Sequence, residues 1–235
     1  YILQRQKELT ETLVSYFLVE KENIQVLAIR GTANLENVLV DLDIQLKSDD
    51  KLGIDLHQGF SSAALAIYTD VKPLLSASKP IVTTGHSLGG AVALILAMHL
   101  DTDGYQIQQS ITFGQPKVTN VTGAGRFDHL SLTRIVTPLD MVPLVPALSP
   151  LQLQNLDIFW HLGDEVILMP GQEYAVTQGL KSMLRASKFV DKVPDESNFE
   201  AHKMSMYLDL LKHKLVGAHE VAYKTGINLF GFSLD

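Results

Sequence analysis

Cysteine is absent from all 235 residues. That excludes a thiol nucleophile, a thiolate metal site and a disulfide framework. Positive charge is also in short supply: 19 Lys and Arg face 26 Asp and Glu, for a formal net charge of −7. A nucleic-acid partner calls for a basic face, so none is expected, and simple electrostatic adhesion to an anionic membrane is disfavoured. The longest apolar run, Ala91 to Met98, stops far short of the roughly 20 residues of a transmembrane helix. The opening residues, Tyr1 to Glu8, do not read as a signal peptide. A soluble chain is expected. Its compartment stays open, because a reducing cytosol and secretion without disulfides both suit a chain that lacks cysteine.

What is present is ordinary globular composition, 46% hydrophobic and 19% charged. A chain of this size buries a large core and needs neither disulfide nor metal to fold. No internal repeat, low-complexity tract or Pro/Gly/Ser-rich linker divides it, so a single domain over residues 1–235 is the expectation. Residues 24–29, 81–84, 105–113 and 132–137 read as strands, and 157–162 with 165–169 as a strand pair around Gly163-Asp164. Residues 59–77 and 91–100 read as helices, and 33–42 as a short amphipathic one. Ser197-Asn198-Phe199-Glu200 reads as a capping box opening a helix to about Lys212. Four prolines, Pro138, Pro143, Pro146 and Pro150, mark 138–156 as a loop. Strands alternating with helices predict an α/β fold with helices over a mainly parallel sheet.

Gly85-His86-Ser87-Leu88-Gly89 fits G-x-S-x-G between a predicted strand and a predicted helix. The pattern has a steric reason. A serine on a strained turn exposes its Oγ, and glycines two residues to either side let strand and helix pass closely. The helix N-terminus then aims backbone N–H groups at a reacting carbonyl oxygen. Ser87 is the candidate nucleophile, and the N–H of Leu88, the next residue, is a candidate oxyanion donor.

Here the chain resembles a known family, the class 3 (fungal-type) lipases of the α/β-hydrolase superfamily. Gly-His-Ser-Leu-Gly-Gly-Ala at 85–91 is similar to the family's elbow. In the same chain order, Arg30-Gly31-Thr32 resembles R-G-[ST], and His57-Gln58-Gly59-Phe60 resembles H-x-G-F. Phe113 to Asn120 resembles F-G-x-P-R-V-G-N, and Asp140-Met141-Val142-Pro143 resembles D-x-V-P. Lys117 stands for the usual Arg and Thr119 for the usual Gly. The resemblance implies an α/β-hydrolase fold with a mostly parallel central sheet and a short lid helix. It also implies Thr32 as the second oxyanion-hole residue beside Leu88.

A serine hydroxyl needs a base and the base needs an orienting carboxylate. In α/β-hydrolases they follow the serine in the order Asp or Glu, then His. Asp140 follows the predicted strand 132–137, where such folds place functional loops, and its match to D-x-V-P adds to that; Asp157 and Asp164 are reserves. After Asp140 come only His161, His202, His213 and His219. The resemblance favours His202, in Ala201-His202-Lys203 before Met206-Tyr207. His161 follows Trp160 in a segment similar to the family's H-x-G-x-E-V, which does not carry its catalytic histidine. His57 and His86 are expected to be structural. Asp101-Thr102-Asp103-Gly104 lacks the remaining ligands of a calcium loop and reads as a turn; no metal and no cofactor are expected.

Leu35, Val38, Leu39 and Leu42 share one face of the 33–42 helix, directly after Thr32. The common meaning of such a face is a helix packed on the core, but its position and the resemblance point to a lid, with Val38 where many family members have Trp. The expected activity is that of a serine hydrolase on acylglycerol-type carboxylic esters, with an acyl ester or lipid as partner, at a lipid–water interface. A phospholipase A1 or soluble esterase on the same scaffold, or a non-catalytic lipid-binding homologue, are the alternatives.

Overall fold

A computed structural model describes residues 1–9, 14–31, 45–146, 158–189, 195–224, 228–229 and 232–233. The chain opens with a meander of β1 (Ile2–Leu9), β2 (Val14–Lys21) and β3 (Ile24–Arg30). Then come β4 (Leu46–Asp49), β5 (Ile54–His57), α1 (Gln58–Val71), β6 (Ile81–His86) and α2 (Leu88–Thr102). Next are β7 (Ile107–Phe113), β8 (Thr119–Asn120), α3 (Val121–Arg126), β9 (Leu132–Val136) and β10 (Phe159–Trp160). The last part carries β11 (Asp164–Leu168), β12 (Glu173–Thr177), α4 (Gly179–Leu184), α5 (Glu196–His202), α6 (Met204–Lys214) and β13 (His219–Glu220).

Among the described residues the main sheet runs β1-β2-β3-β6-β7-β9-β11-β12-β13. Its centre, β3-β6-β7-β9-β11, is parallel throughout. The β1-β2-β3 meander closes one side and β12 pairs antiparallel with β11 on the other. A second sheet, β10-β8-β5-β4, is antiparallel. Parallel strands need crossovers, which put helices on the faces of the sheet.

The apolar run Ala91 to Met98 is the middle of α2. Every residue from Gly89 to Leu100 in that helix is buried, because β3, β6 and β7 pack against it on one side and α1 on another. A helix apolar on all sides is a core helix here, and no helix among the described residues is long and apolar enough to cross a membrane. Leu94 and Ile95 are fully buried, so truncating either to Ala would cost about 2–5 kcal/mol.

Four expectations on the elements change. The helix expected over 59–77 ends at Val71, and Pro73 falls in a 3-10 turn over Lys72–Leu74. Proline has no N–H to continue the ladder and its ring clashes with the preceding turn. The strand expected over 81–84 runs on through Gly85 to His86, and α2 begins at once after Ser87. The expected pair around Gly163-Asp164 does not form: β10 pairs with β8 in the small sheet, while β11 joins β9 in the large one. His161 and Leu162 turn into the core between them, with Gly163 at φ 71°. The helix expected from Ser197 to Lys212 is two helices, because Lys203 has extended backbone, φ −62° and ψ 136°. Its capping box is Asp195 with Asn198 rather than Ser197 with Glu200. The helix expected over 33–42 lies outside the described residues.

Candidate active site

Ser87 stands between β6 and α2 at φ 57° and ψ −129°. A non-glycine residue there carries roughly 1–3 kcal/mol of backbone strain. The neighbours hold it in place: the Ser87 amide donates to Phe113 O at 2.8 Å, and its carbonyl accepts from Gly90 N at 2.9 Å. Close packing explains the flanking glycines. A Cβ on Gly85 would land on the Gly89 carbonyl, and one on Gly89 would land on the Ile29 carbonyl. Gly31 packs against the same turn, where a Cβ would lie 2.8 Å from Gly89 N and 3.1 Å from Leu88 Cβ. The end of β3 therefore sits against the start of α2. Thr32, which follows it, lies outside the described residues, as do Leu35, Val38, Leu39 and Leu42. Leu88 opens α2, and first-turn amides have no acceptor within their own helix.

His202 ends α5, where the last carbonyls of a helix need outside donors. Thr137 Oγ1 donates to Ala201 O at 2.8 Å and His86 Nε2 donates to His202 O at 2.7 Å. The His86 and His202 rings lie 4.6 Å apart between centroids. So the residue immediately before Ser87 holds the backbone of His202, and elbow and imidazole are neighbours. Burial and the neighbouring His202 push the His86 imidazole down to about 4, which leaves it neutral and fit to donate through Nε2–H.

His202 Nδ1 lies 2.8 Å from Asp140 Oδ2. A carboxylate accepts only, so Nδ1 carries the proton and Nε2 is left as a basic lone pair. Nε2 is buried and has no hydrogen-bond partner among the described residues. Asp140 is fully buried and its carboxylate accepts two further bonds, from Val142 N at 2.9 Å and from the Tyr207 hydroxyl at 2.5 Å. Burial alone would raise the Asp140 carboxyl, but the His202 imidazole, the Tyr207 hydroxyl and the Val142 amide together hold it below the usual carboxylate range. Burial and the adjacent Asp140 charge push the Tyr207 phenol well above its ordinary value. Gly114 packs on the pair at φ +56°, where a Cβ would meet Asp140 Oδ2 and His202 Nδ1 at 2.8 Å.

The reserve residues sit elsewhere. Buried His161 turns its Nε2 to Pro143 O at 2.7 Å, and burial with Arg134 and Lys117 nearby holds its pKa well below the usual value. Asp164 accepts from the Gln178 amide, and Asp157 lies outside the described residues. His213 is in the last turn of α6 and His219 is exposed in β13. His57 stacks on Phe60 with ring centroids 3.9 Å apart. Asp103 is tied to Lys51 at 2.7 Å and Lys72 at 2.6 Å, and no cluster suited to a metal ion occurs among the described residues. A cavity of about 390 Å³ lined by Asp128, Trp160, His161 and Asp164 is separate from this constellation, since Ser87, Asp140 and His202 do not line it.

Sequence reasoning passed over Tyr207 as a partner of Asp140, and over Gly114. Each had a signal. Tyr207 follows the candidate histidine by five residues, and Gly114 follows a strand in the loop region where such sheets place their sites.

A parallel-centred sheet flanked by helices, with a serine elbow after β6, defines the fold as that of an α/β-hydrolase. The solved structure of lipase II from Rhizopus niveus has the same fold: TM-score 0.62, 26% identity, over 72% of this chain and 67% of that one. The family model described as lipase (class 3) matches residues 26–149, and the chain belongs to that family. A secreted mono- and diacylglycerol lipase 1 of Fusarium solani is 35% identical over 102 residues, 40% of this chain and 30% of that protein. A Rhizopus niveus lipase is 30% identical over 148 residues, 55% of this chain and 36% of that protein. The chain thus spans about a third of the length of these two curated relatives.

Proposed function

We propose that the chain hydrolyses carboxylic esters of the acylglycerol class through an acyl-enzyme on Ser87. Ser87 Oγ attacks the ester carbonyl carbon while His202 Nε2 takes the hydroxyl proton. The Asp140 carboxylate stabilises the resulting imidazolium through Nδ1–H. The oxyanion is met by the Leu88 amide and by Thr32, through its N–H and hydroxyl. Collapse breaks the bond to the alkoxy oxygen, which leaves as the alcohol with the proton from His202. Water, activated by the same histidine, then releases the carboxylic acid and restores Ser87. The helix over 33–42 acts as a lid whose face of Leu35, Val38, Leu39 and Leu42 covers the acyl site in water.

The observation that carries this reading is the His202 imidazole. Its Nδ1 is engaged by Asp140, its Nε2 has no partner among the described residues, and it lies against the residue before Ser87. Family membership supports the acylglycerol substrate, as does the relative named for mono- and diacylglycerols. The test is covalent labelling by a fluorophosphonate together with turnover of mono-, di- and triacylglycerols and of phospholipids. Labelling at Ser87 and release of fatty acid from acylglycerols are expected. Ser87→Ala should abolish labelling and lower kcat by about 10³ or more. Equal turnover in that variant, or hydrolysis of phospholipids alone, rejects the reading.

A further inference from the structure

Asp140 sits on a stretch with little regular structure, residues 137–146, whose only helical turn is Val142–Leu144. Four of its carbonyls accept from buried basic side chains. Arg185 Nη1 donates to Asp140 O at 3.0 Å and His161 Nε2 to Pro143 O at 2.7 Å. Lys117 Nζ donates to Leu144 O at 2.7 Å and Pro146 O at 2.8 Å. The three side chains come from three separate places: the β7–β8 connection, the β10–β11 connection and the segment after α4.

Behind them lies a shared carboxylate. Glu165 takes Arg185 Nη2 at 3.3 Å, Arg134 Nη1 at 3.5 Å and Thr177 Oγ1 at 2.9 Å. Three cations, Lys117, Arg134 and Arg185, thus face one buried carboxylate. Both arginines contact Glu165 directly, while among the described residues the ammonium of Lys117 bonds carbonyl oxygens alone. Lys117 is 2% exposed.

Taking Ser87, His202 and Asp140 as the reacting triad, we propose that Lys117 is a positioning residue for Asp140: its ammonium clamps the end of the loop that presents the carboxylate to His202, and losing that charge slows turnover. Charge-assisted hydrogen bonds are about twice as strong as neutral ones. A neutral amine therefore holds the two carbonyls less firmly, and small displacements of a catalytic group are costly. The charge is also close to being lost. Burial, helped by Arg134 and Arg185 and opposed by Glu165, pushes Lys117 down to about 8. His161, the other titratable group facing it among the described residues, is buried and kept neutral.

Linkage separates positioning from stability. Lys117 titrates near 8 in the fold and near its ordinary 10.5 when unfolded. Between those values the unfolded chain binds the extra proton, so this residue's contribution to stability grows as pH rises. A lysine that served only the fold would therefore give no loss of activity on the alkaline side. The experiment is kcat against pH, from 7 to 10, on a soluble short-chain ester, for the wild type, Lys117→Arg and Lys117→Met. Fluorescence of the single tryptophan, Trp160, beside His161, monitors folding. The wild type should lose about 3- to 10-fold in kcat with a midpoint near 8, at little cost in KM. Lys117→Arg keeps its charge throughout, so its limb should move up by more than one pH unit. Lys117→Met should show a kcat lowered about 10- to 100-fold and no limb near 8. A flat wild-type profile, a limb unmoved in Lys117→Arg or a limb retained in Lys117→Met overturns the proposal. Failure of the triad itself reads differently: the wild type would neither hydrolyse ester nor take up fluorophosphonate.

Discussion

The imidazole of His86 donates from Nε2 to the backbone carbonyl of His202 at 2.7 Å. The two residues are 116 positions apart, and this bond ties the elbow to the backbone of the candidate base. It puts the variable position of G-x-S-x-G to use. The side chain there holds the last carbonyl of the helix that carries His202.

His86→Leu removes the donor and leaves the His202 carbonyl buried without it. We expect a fall in kcat of about 10-fold with KM little changed. Stability should respond as well. The His86 imidazole titrates near 4 in the fold against an ordinary 6.5, so its contribution is present above pH 6.5 and is lost as pH falls through 4. Melting temperatures between pH 4 and 7 should fall less steeply in His86→Leu than in the wild type. Parallel curves would mean that His86 charges as easily in the fold as in the unfolded chain.

Tyr207→Phe tests how far the Asp140 carboxylate depends on its second donor. The variant keeps the ring, whose edge packs near Phe113 at 6.0 Å between centroids, and deletes only the hydroxyl. Asp140 retains Val142 N and His202 Nδ1. Loss of a hydrogen bond to a buried charge costs roughly 1.5–3 kcal/mol. Stability by denaturant titration should drop by that order, with kcat lowered by a further several-fold. An unchanged unfolding free energy would show that the hydroxyl bond carries no net weight.

Gly114→Ala should be far more damaging than its single methyl suggests. Its backbone sits at φ +56°, and the new Cβ would press on Asp140 Oδ2 and His202 Nδ1 at once. We expect kcat lowered about 100-fold or more, because the carboxylate–imidazole pair must part to admit the methyl. The strain at positive φ adds roughly 1 kcal/mol or more of destabilisation. An active Gly114→Ala enzyme would mean that the 113–116 turn yields freely.

The parts of the site that follow from local chemistry were legible in the chain. A serine with glycines two residues to either side, after a β-branched strand and before an apolar helix, reads as a strand–turn–helix elbow, and β6, Ser87 and α2 follow that order in the structure. Helix ends and partners were harder. Pro73 shortened α1, and Lys203 broke a helix expected to run straight through it, since a capping pattern marks where a helix starts and does not report an extended residue further on. β10 and β11 looked like a hairpin because their separation is short, but which strand each meets is decided by tertiary pairing with β8 and β9. The buried basic residues were least visible: nothing local marks Lys117, Arg134 and Arg185 as interior, because the carbonyls and the carboxylate that accept their protons come from distant segments.

Residues 33–42 lie outside the described residues, and their proposed role as a lid has a kinetic signature. Gly31, the last described residue before them, is packed on Gly89 and Leu88. Leu35, Val38, Leu39 and Leu42 recur at helical spacing and, in our reading, close over the acyl site. Exposing such a face to water costs about 1.5–3 kcal/mol per large side chain as an upper figure. A lipid surface removes much of that cost, so opening is favoured there. The rate on a sparingly soluble ester should therefore climb faster than hyperbolically once an emulsion forms. Leu35→Asn combined with Leu39→Asn should flatten that climb while turnover of a dissolved short-chain ester persists. The comparison is made on one substrate carried through its solubility limit. A wild-type rate that passes smoothly through that limit, with full activity on dissolved ester, would reject the lid and leave a helix fixed on the core.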